Sequence, residues 1–565
     1  MKRTTVELIH AKLCQALEFQ KNNNFPEAQA ICREVLTIDP RNADAWHLLG
    51  LAAWRCGDLQ TAKNRITKAT KIKANEPAYL SNLGIVLKDL GEHDAALACF
   101  GRALRLQPNY PEARSNRGLT FTKMGKHEEA LTDYDAAIAL RPSYAAAHSN
   151  RGISLQHVGR SEEALASFRK AIACDPAFSD AWSNYATLLR RLRRHAESLQ
   201  IYDHALKLNP NNATGFQGRG ELLIELDRLN EAISDFDRAL AINPHYADPL
   251  WGKGYAYLRA GDFDKGLDFY DFRFAQSNQQ ASVLKTDKPR WTPARATERL
   301  LLWSEQGIGD ELFFAQWLGH AHRLGHEVTV AVDERLLSTH SRSFRDLRFI
   351  DKNESIPRDC YDCHIPLGSL PKALRDFGIA WQTHRKIPYL IADAHKTATL
   401  RADLTRGGKR ICGITWRSNR PELGAEKSLS LENLLPILHI PDYVFISLQY
   451  GDTRKEIEQL RNDTGIEIYT HPTVDNLKDL ENHIALTAAC DELVLACNAT
   501  AHVAGAMGKH AHLLAPRGKS LLWYWANRIN NRNFWYSSIE IFDQTQQLSW
   551  IPAVDQVAKK LTNKV

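Results

Sequence analysis

The sequence has no long apolar run, little excess charge and no cysteine framework, and each shortage excludes a class of protein. No stretch among its 565 residues approaches the ~20 apolar positions that a membrane-spanning helix needs. The N-terminal MKRTTVELIHAKLCQALEFQ has neither a continuous apolar core nor a small-residue cleavage site, so a secretory leader is not expected. Lys and Arg number 72 against 66 Asp and Glu, a formal net charge of +6. That surplus is small for the length and argues against a nucleic-acid partner. The 10 cysteines are scattered, so the expected compartment is reducing, the cytoplasm.

Cys360, Cys363 and His364 fit the C-x-x-C-H form of covalent haem attachment. Such attachment occurs outside the cytoplasm, and YDCHIPLGSLP reads as a strand followed by a turn, so haem is not expected. No second ligand pair follows at zinc spacing, so a metal is not expected either. Hydrophobic residues make up 44% and charged residues 24%, an ordinary globular balance. The length is too great for one core, and at least two domains are expected.

A 34-residue period runs through the first half. One position reads Trp46, Leu80, Arg114, His148, Trp182, Phe216 and Leu250. Four residues on, a small residue recurs at Gly50, Gly84, Gly118, Gly152, Ala186, Gly220 and Gly254. A second small position reads Ala62, Ala96, Ala130, Ala164, Ser198, Ala232 and Gly266, followed by large residues at Ile66, Phe100, Tyr134, Phe168, Tyr202, Phe236 and Tyr270. Prolines recur at Pro40, Pro108, Pro142, Pro176, Pro210 and Pro244. This pattern resembles the tetratricopeptide repeat, with about eight copies over residues 8 to 275. Small residues let paired helices approach, and the aromatic fills the gap to the next unit. The resemblance implies an all-α superhelix with a concave groove for a protein partner; the other reading is a spacer or oligomerisation surface. Asn82, Asn116, Asn150 and Asn184 share one register, with Arg117, Arg151 and Arg219 one position on. Amides in a row can bond an extended backbone, because each both donates and accepts. They can equally bond between neighbouring repeats.

After about residue 296, short apolar runs alternate with helical stretches. Strands are expected at RLLLWSEQ, EVTVAVD, LRFID and YDCHIPL, then at RICGITW, YVFISLQ, IEIYT, DELVLAC and HAHLLAP, with a helix at ELFFAQWLGHAHRLG. Such alternation implies parallel sheets. Two series, joined near 385–409, suggest two Rossmann-like lobes with a cleft at their carboxyl ends.

The second half resembles the family-nine-type, heptosyltransferase-like glycosyltransferases found behind such arrays, flagellin glycosyltransferases among them. The resemblance rests on LLLWSEQGIGDELFFAQWL, GITWRSN, KSLSLENL, FISLQYGD, CNATAHVAGAMGKHAHLLAP and the aromatic tail LLWYWANRINNRNFWYSSIEIFDQ, in that order. It implies a GT-B pair of lobes: linker 276–298, acceptor lobe 299–390 and donor lobe 391–565. It further implies an inverting, metal-independent glycosyltransferase that uses a nucleotide-sugar as substrate and needs no cofactor.

Within that reading Asp310 maps onto the catalytic base, with Glu305 and Glu311 as rivals and helix capping as the plain alternative. Gly307 and Gly309, after Gln306, allow a tight turn that brings backbone close to a ligand. Asn498, Ala499 and Thr500 offer a helix N-terminus to a phosphate, and His502 lies in the first turn. Arg417 and Lys427 flank the loop after Trp416 and supply positive charge; Gln449 is at the height of a nucleobase or sugar. Cys497 stands where the family commonly has Asp. The expected activity is transfer of a sugar to Ser/Thr hydroxyls of a protein, flagellin foremost, captured by Asn82, Asn116, Asn150 and Asn184. The alternatives are a non-catalytic scaffold and a transferase for surface polysaccharide or lipid-linked glycan.

Overall fold

A computed structural model describes residues 3–276, 283–295, 298–324, 327–379, 388–404, 408–418, 424–545 and 547–563. Parts of the linker at 276–298 and of the joint near 385–409 lie outside the described residues, as does Asn419 at the end of GITWRSN. The chain divides into two compact units, Met1–Gly218 and Arg219–Val565.

Sixteen α-helices follow one another from Arg3–Lys21 to Phe263–Tyr270. The small residues of the period account for their pairing. A Cβ on Gly84 would lie 2.8 Å from Phe100, on Gly118 2.9 Å from Tyr134, and on Gly152 2.7 Å from Phe168. Each aromatic is fully buried. The same device, Gly220 against Phe236 at 2.6 Å, recurs in the second unit. The helices also end alike. Gly159 takes φ +79° and donates its N–H to the Gln156 carbonyl. One period on, Arg193 holds φ +60° with the equivalent bond to Arg190. A side chain in that left-handed conformation costs about 1–2 kcal/mol.

The last two helices, Ala247–Ala260 and Phe263–Tyr270, belong to the second unit. Leu258, Phe263, Leu267 and Tyr270 join its main core with Phe313, Phe314, Trp523 and Trp535. Arg259 Nη1 donates to the Gly518 carbonyl at 3.0 Å, and Asn527 Nδ2 to the Leu258 carbonyl at 2.9 Å. The boundary between the units falls inside helix Ala213–Glu225, while the paired helices of the array continue to Tyr270.

All nine expected strands form. β1 (Leu300–Trp303), β2 (Val328–Val332), β3 (Arg348–Asp351) and β4 (Cys363–Pro366) make a parallel sheet in the order β3-β2-β1-β4. The second sheet comprises β5 (Arg410–Ile414), β6 (Tyr443–Ser447), β7 (Ile468–Tyr469), β8 (Glu492–Ala496), β9 (Ala511–Ala515), β10 (Arg528–Ile529), β11 (Arg532–Asn533) and β12 (Ile539–Asp543). Its order is β10-β11-β12-β9-β8-β5-β6-β7. Strands β5 to β9 and β12 pair in parallel; β10 and β11 add an antiparallel edge. Counted from β5, the parallel strands run 3-2-1-4-5-6, the order of doubly wound nucleotide-binding sheets, and the first sheet runs 3-2-1-4. The order reverses between β1 and β4 and between β5 and β8. Such sheets bind ligands at the carboxyl ends beside that reversal. The stretch ELFFAQWLGHAHRLG departs from expectation: helix Ile308–Phe314 tightens into a 3-10 run, Ala315–Arg323, that contains Gly319, a poor helix former.

Candidate active site

Two short helices carry the expected motifs into contact. Helix Ile308–Phe314 follows β1, and helix Ala499–Ala506 follows β8 through Cys497 and Asn498. They pack on one another, with Leu312, Val503 and Ala506 in one cluster. The carboxyl ends of both sheets therefore meet. A Cβ on Gly309 would lie 3.2 Å from His502 Cδ2. Neither Gly307 nor Gly309 has a positive φ, so the tight turn expected of them is not their role. Gly309 is where the two helices touch. Gly307 has φ −74° and open space where a Cβ would stand.

Asp310 is the third residue of its helix, half-buried, and no side-chain bond caps that helix. Its Oδ1 accepts from the Tyr524 hydroxyl at 3.1 Å. The phenols of Tyr270 and Tyr536 are raised above their ordinary pKa, chiefly by burial and also by the charge of Asp310. Tyr536 Oη lies 3.1 Å from His502 Nδ1. His502 is buried against Trp525 at 4.6 Å between ring centroids. Burial, helped by the Lys427 charge, pushes its pKa down to about 3, so the ring is neutral at physiological pH. Lys427 is buried too, and its charge opposes the burial that pushes the Cys497 thiol up to about 12. A carboxylate, a neutral imidazole, three phenols and a buried ammonium thus surround the meeting point of the sheets.

The rival carboxylates are structural. Glu305 accepts from Arg273 Nη2 at 2.7 Å and from the Gly368 N–H at 3.1 Å, with both side chains buried. Gln306 Nε2 donates to Glu305 and to Tyr270 Oη, each at 3.2 Å. Glu311 is fully buried and accepts from the Asp333 N–H at 3.1 Å and from Lys352 Nζ at 3.2 Å; burial holds its pKa above the ordinary range.

Several expected donor contacts are spent within the protein. Gln449 is buried, and its Oε1 accepts from the N–H groups of Trp416 (3.0 Å) and Arg417 (2.9 Å). It braces the loop after β5 and does not reach outward to a base or sugar. Arg417 Nη1 forms an ion pair with Glu456 at 2.8 Å, and the same carboxylate accepts from the Trp416 indole at 2.9 Å. Arg417 is thus neutralised where a phosphate cation was expected. Asn498 Oδ1 accepts the Thr500 N–H at 3.1 Å and so caps the helix; Nδ2 donates to the Arg417 carbonyl at 3.3 Å. Asn476 Nδ2 donates to the Ser447 and Gln449 carbonyls, so its Oδ1 accepts from His483 Nδ1 (2.9 Å). The remaining His483 Nε2 accepts the Thr500 hydroxyl at 3.1 Å. Thr500 is buried and does not offer that hydroxyl to a phosphate. Half-buried Ala499 opens the helix beside Gly309. Lys427 is the expected cation that stays at the meeting point.

Comparison with known proteins places the first half. Models described as tetratricopeptide repeat or TPR repeat match residues 20–83, 86–125, 118–159, 149–213 and 218–271. The protein contains TPR repeats. Protein FlbA of Caulobacter vibrioides is 28% identical over 323 residues, 54% of this chain and 53% of that protein. The chain thus matches about half the length of that relative. A TPR protein from Parabacteroides merdae is 19% identical with a TM-score of 0.39, covering 43% of this chain and 97% of that one. MamA from Desulfovibrio magneticus is 22% identical with a TM-score of 0.28, covering 30% and 96%.

The asparagine register of the TPR array divides in two. Asn82 Nδ2 bonds His47 Nε2 at 2.9 Å and Asn184 Nδ2 donates to Ser149 Oγ at 3.4 Å, each reaching the preceding repeat. Those two serve the array itself. Asn116 and Asn150 are half-buried and, among the described residues, make no side-chain hydrogen bond. The neighbouring arginines are answered from within the array: Arg117 pairs with buried Asp133 at 2.6 Å and Arg151 with Asp135 at 2.6 Å.

Sequence reasoning missed Tyr524, Tyr536, Arg273, Glu456 and His483. The aromatic tail was noted as a block, but which phenol reaches Asp310 depends on a contact spanning more than two hundred residues. Arg273 stands between Phe272 and Phe274, and a charge in that aromatic stretch was the one local signal of its buried pair with Glu305.

Proposed function

We propose that this TPR protein is an inverting glycosyltransferase that moves a sugar from a nucleotide-activated donor to Ser/Thr hydroxyls of a protein, flagellin being the leading acceptor. The observation that carries the reading is the meeting of two reversal points, with Asp310 on one side and His502 and Lys427 on the other. It agrees with the GT-B architecture that the sequence resemblance implies. In the proposed step the acceptor oxygen attacks the anomeric carbon. Its proton passes to Asp310. The bond from that carbon to the diphosphate oxygen breaks, and the electron pair leaves with the nucleotide. Tyr524 holds the carboxylate in place, and Lys427 is the cation for the leaving group. Asn116 and Asn150 are the amides available to an extended acceptor segment.

A second reading, a non-catalytic TPR scaffold, is favoured by one set of facts: Arg417, Gln449 and Thr500 are internally satisfied and Cys497 is a buried, protonated thiol. A nucleotide-sugar panel separates the two. The transferase releases nucleotide from one donor, faster with purified flagellin; the scaffold releases none. Removal of residues 1–212, which spares the helices built into the second unit, is expected to keep donor hydrolysis and lose protein modification.

A further inference from the structure

The amino-terminal edge of the eight-stranded sheet carries a cluster that the proposed reaction does not use. Glu492 opens β8, and His512 is the second residue of β9. In the parallel register Val494 lies opposite His512. Two residues back along both strands, Glu492 therefore lies opposite His510, and all three side chains share one face. His510 Nδ1 is 3.3 Å from Glu492 Oε2, and His512 Nε2 is 3.6 Å from the same oxygen. The three atoms all lie within 4.8 Å of one another.

These spacings are those of a ligand set. In a tetrahedral zinc site with bonds near 2.0–2.1 Å, ligand atoms stand about 3.4 Å apart. Two of the three edges already have that length, and the histidine–histidine edge has to close by about 1.4 Å at most. Two imidazoles and a carboxylate suit zinc better than calcium or magnesium, which take oxygen. The surroundings fit as well. Arg410 Nη2 holds the other oxygen of Glu492 at 2.9 Å, so Oε2 is the one turned to both rings. Glu540 Oε2, on β12, faces His512 Nδ1 at 3.9 Å, the place of a carboxylate that orients a metal-binding imidazole. Glu492 and His512 are buried, and His510, 33% exposed, opens the cluster to solvent.

We propose that Glu492, His510 and His512 form a site for a divalent transition metal of the zinc class, with a fourth position open to solvent. It stands at the opposite end of the strands from Asp310 and does not rest on the transferase reading. Its role is structural, clipping β8 to β9.

The test uses the full chain, without an affinity tag and after treatment with a chelator. Calorimetric titration with zinc is expected to show one equivalent bound, and cobalt is expected to give the visible absorption of a four-coordinate nitrogen–oxygen site. His510→Ala and Glu492→Gln should each weaken zinc at least tenfold. His127→Ala, from the pair His127–His157 stacked at 4.4 Å elsewhere, should not. Zinc should also raise the thermal midpoint of the wild type and not that of His510→Ala, a partly exposed position whose loss leaves the fold intact. Failure of the wild type to bind zinc, or affinity indifferent to His510→Ala, overturns the site.

Discussion

Replacing Glu305 by Gln separates a structural carboxylate from the proposed catalytic one, Asp310, five residues away. The Arg273 guanidinium is 4% exposed and the Glu305 carboxylate 1%. Arg273 has further partners in Ser369 Oγ at 2.9 Å, the Tyr270 carbonyl at 3.0 Å and Asp271 at 3.0 Å. Removing one member of a buried ion pair typically costs 3–5 kcal/mol, because the other charge stays desolvated. The remaining acceptors place this case at the lower end, about 3 kcal/mol. Arg273 and the Gly368 N–H both bond Oε1, so Gln can keep these bonds through its carbonyl oxygen; what it removes is the charge that answers the guanidinium. Urea unfolding followed by tryptophan fluorescence reads the second unit, whose core contains Trp317, Trp523, Trp525 and Trp535. With a slope of about 3 kcal/mol per molar urea, the midpoint should fall by about 1 M. Folded Glu305→Gln should turn over donor at the wild-type rate. An unchanged midpoint together with lost turnover would refute the reasoning and move the base from Asp310 to Glu305.

Arg193→Gly, at a left-handed position where four earlier repeats have glycine, should stabilise the array by about 1 kcal/mol in thermal melts of the full chain. Acid should weaken the second unit. His340 and His483 are held down to about 4 and His502 to about 3 by burial, against 6.5 for the free side chain. Below that value the unfolded chain takes up protons that the folded one refuses, so stability is full above about pH 6.5 and falls by up to about 4 kcal/mol per pH unit toward pH 4. Urea midpoints at pH 7, 6 and 5 measure the slope, and His483→Gln should remove about a third of it; an identical slope in that variant contradicts the assignment.

The repeat array was legible because its signal is local and periodic. Gly118 and Tyr134 are sixteen residues apart in every copy, and the contact between them needs no distant partner. The strands were legible for a similar reason: Leu300–Trp303 and, after Glu492, residues Leu493–Ala496 are continuous apolar runs buried along their length. The candidate site was legible only in part. Asp310 and His502 lie on helices that follow strands, where strand-helix reading puts ligands. Whether a polar side chain faces a ligand or its own protein was not in the sequence. Gln449 and Arg417 sit at strand ends as expected, yet Trp416, Glu456 and the loop backbone use them up. Thr500 likewise depends on His483, seventeen residues earlier on another helix. The unit boundary was hidden because the last repeats keep the 34-residue period while Leu258, Phe263 and Tyr270 of the final one pack into the core of the second unit.

The central claim is that Asp310 removes a proton during sugar transfer. General-base catalysis contributes about 10²–10⁴-fold, so Asp310→Asn, isosteric and still able to accept from Tyr524, should lower single-turnover transfer by at least about 100-fold. Nucleotide affinity and the urea midpoint should match the wild type. The measurement is rapid-quench transfer of a labelled sugar from the donor that the panel identifies, with variant and wild type side by side. A 100-fold loss at unchanged affinity is the predicted result; transfer at the wild-type rate would contradict the account.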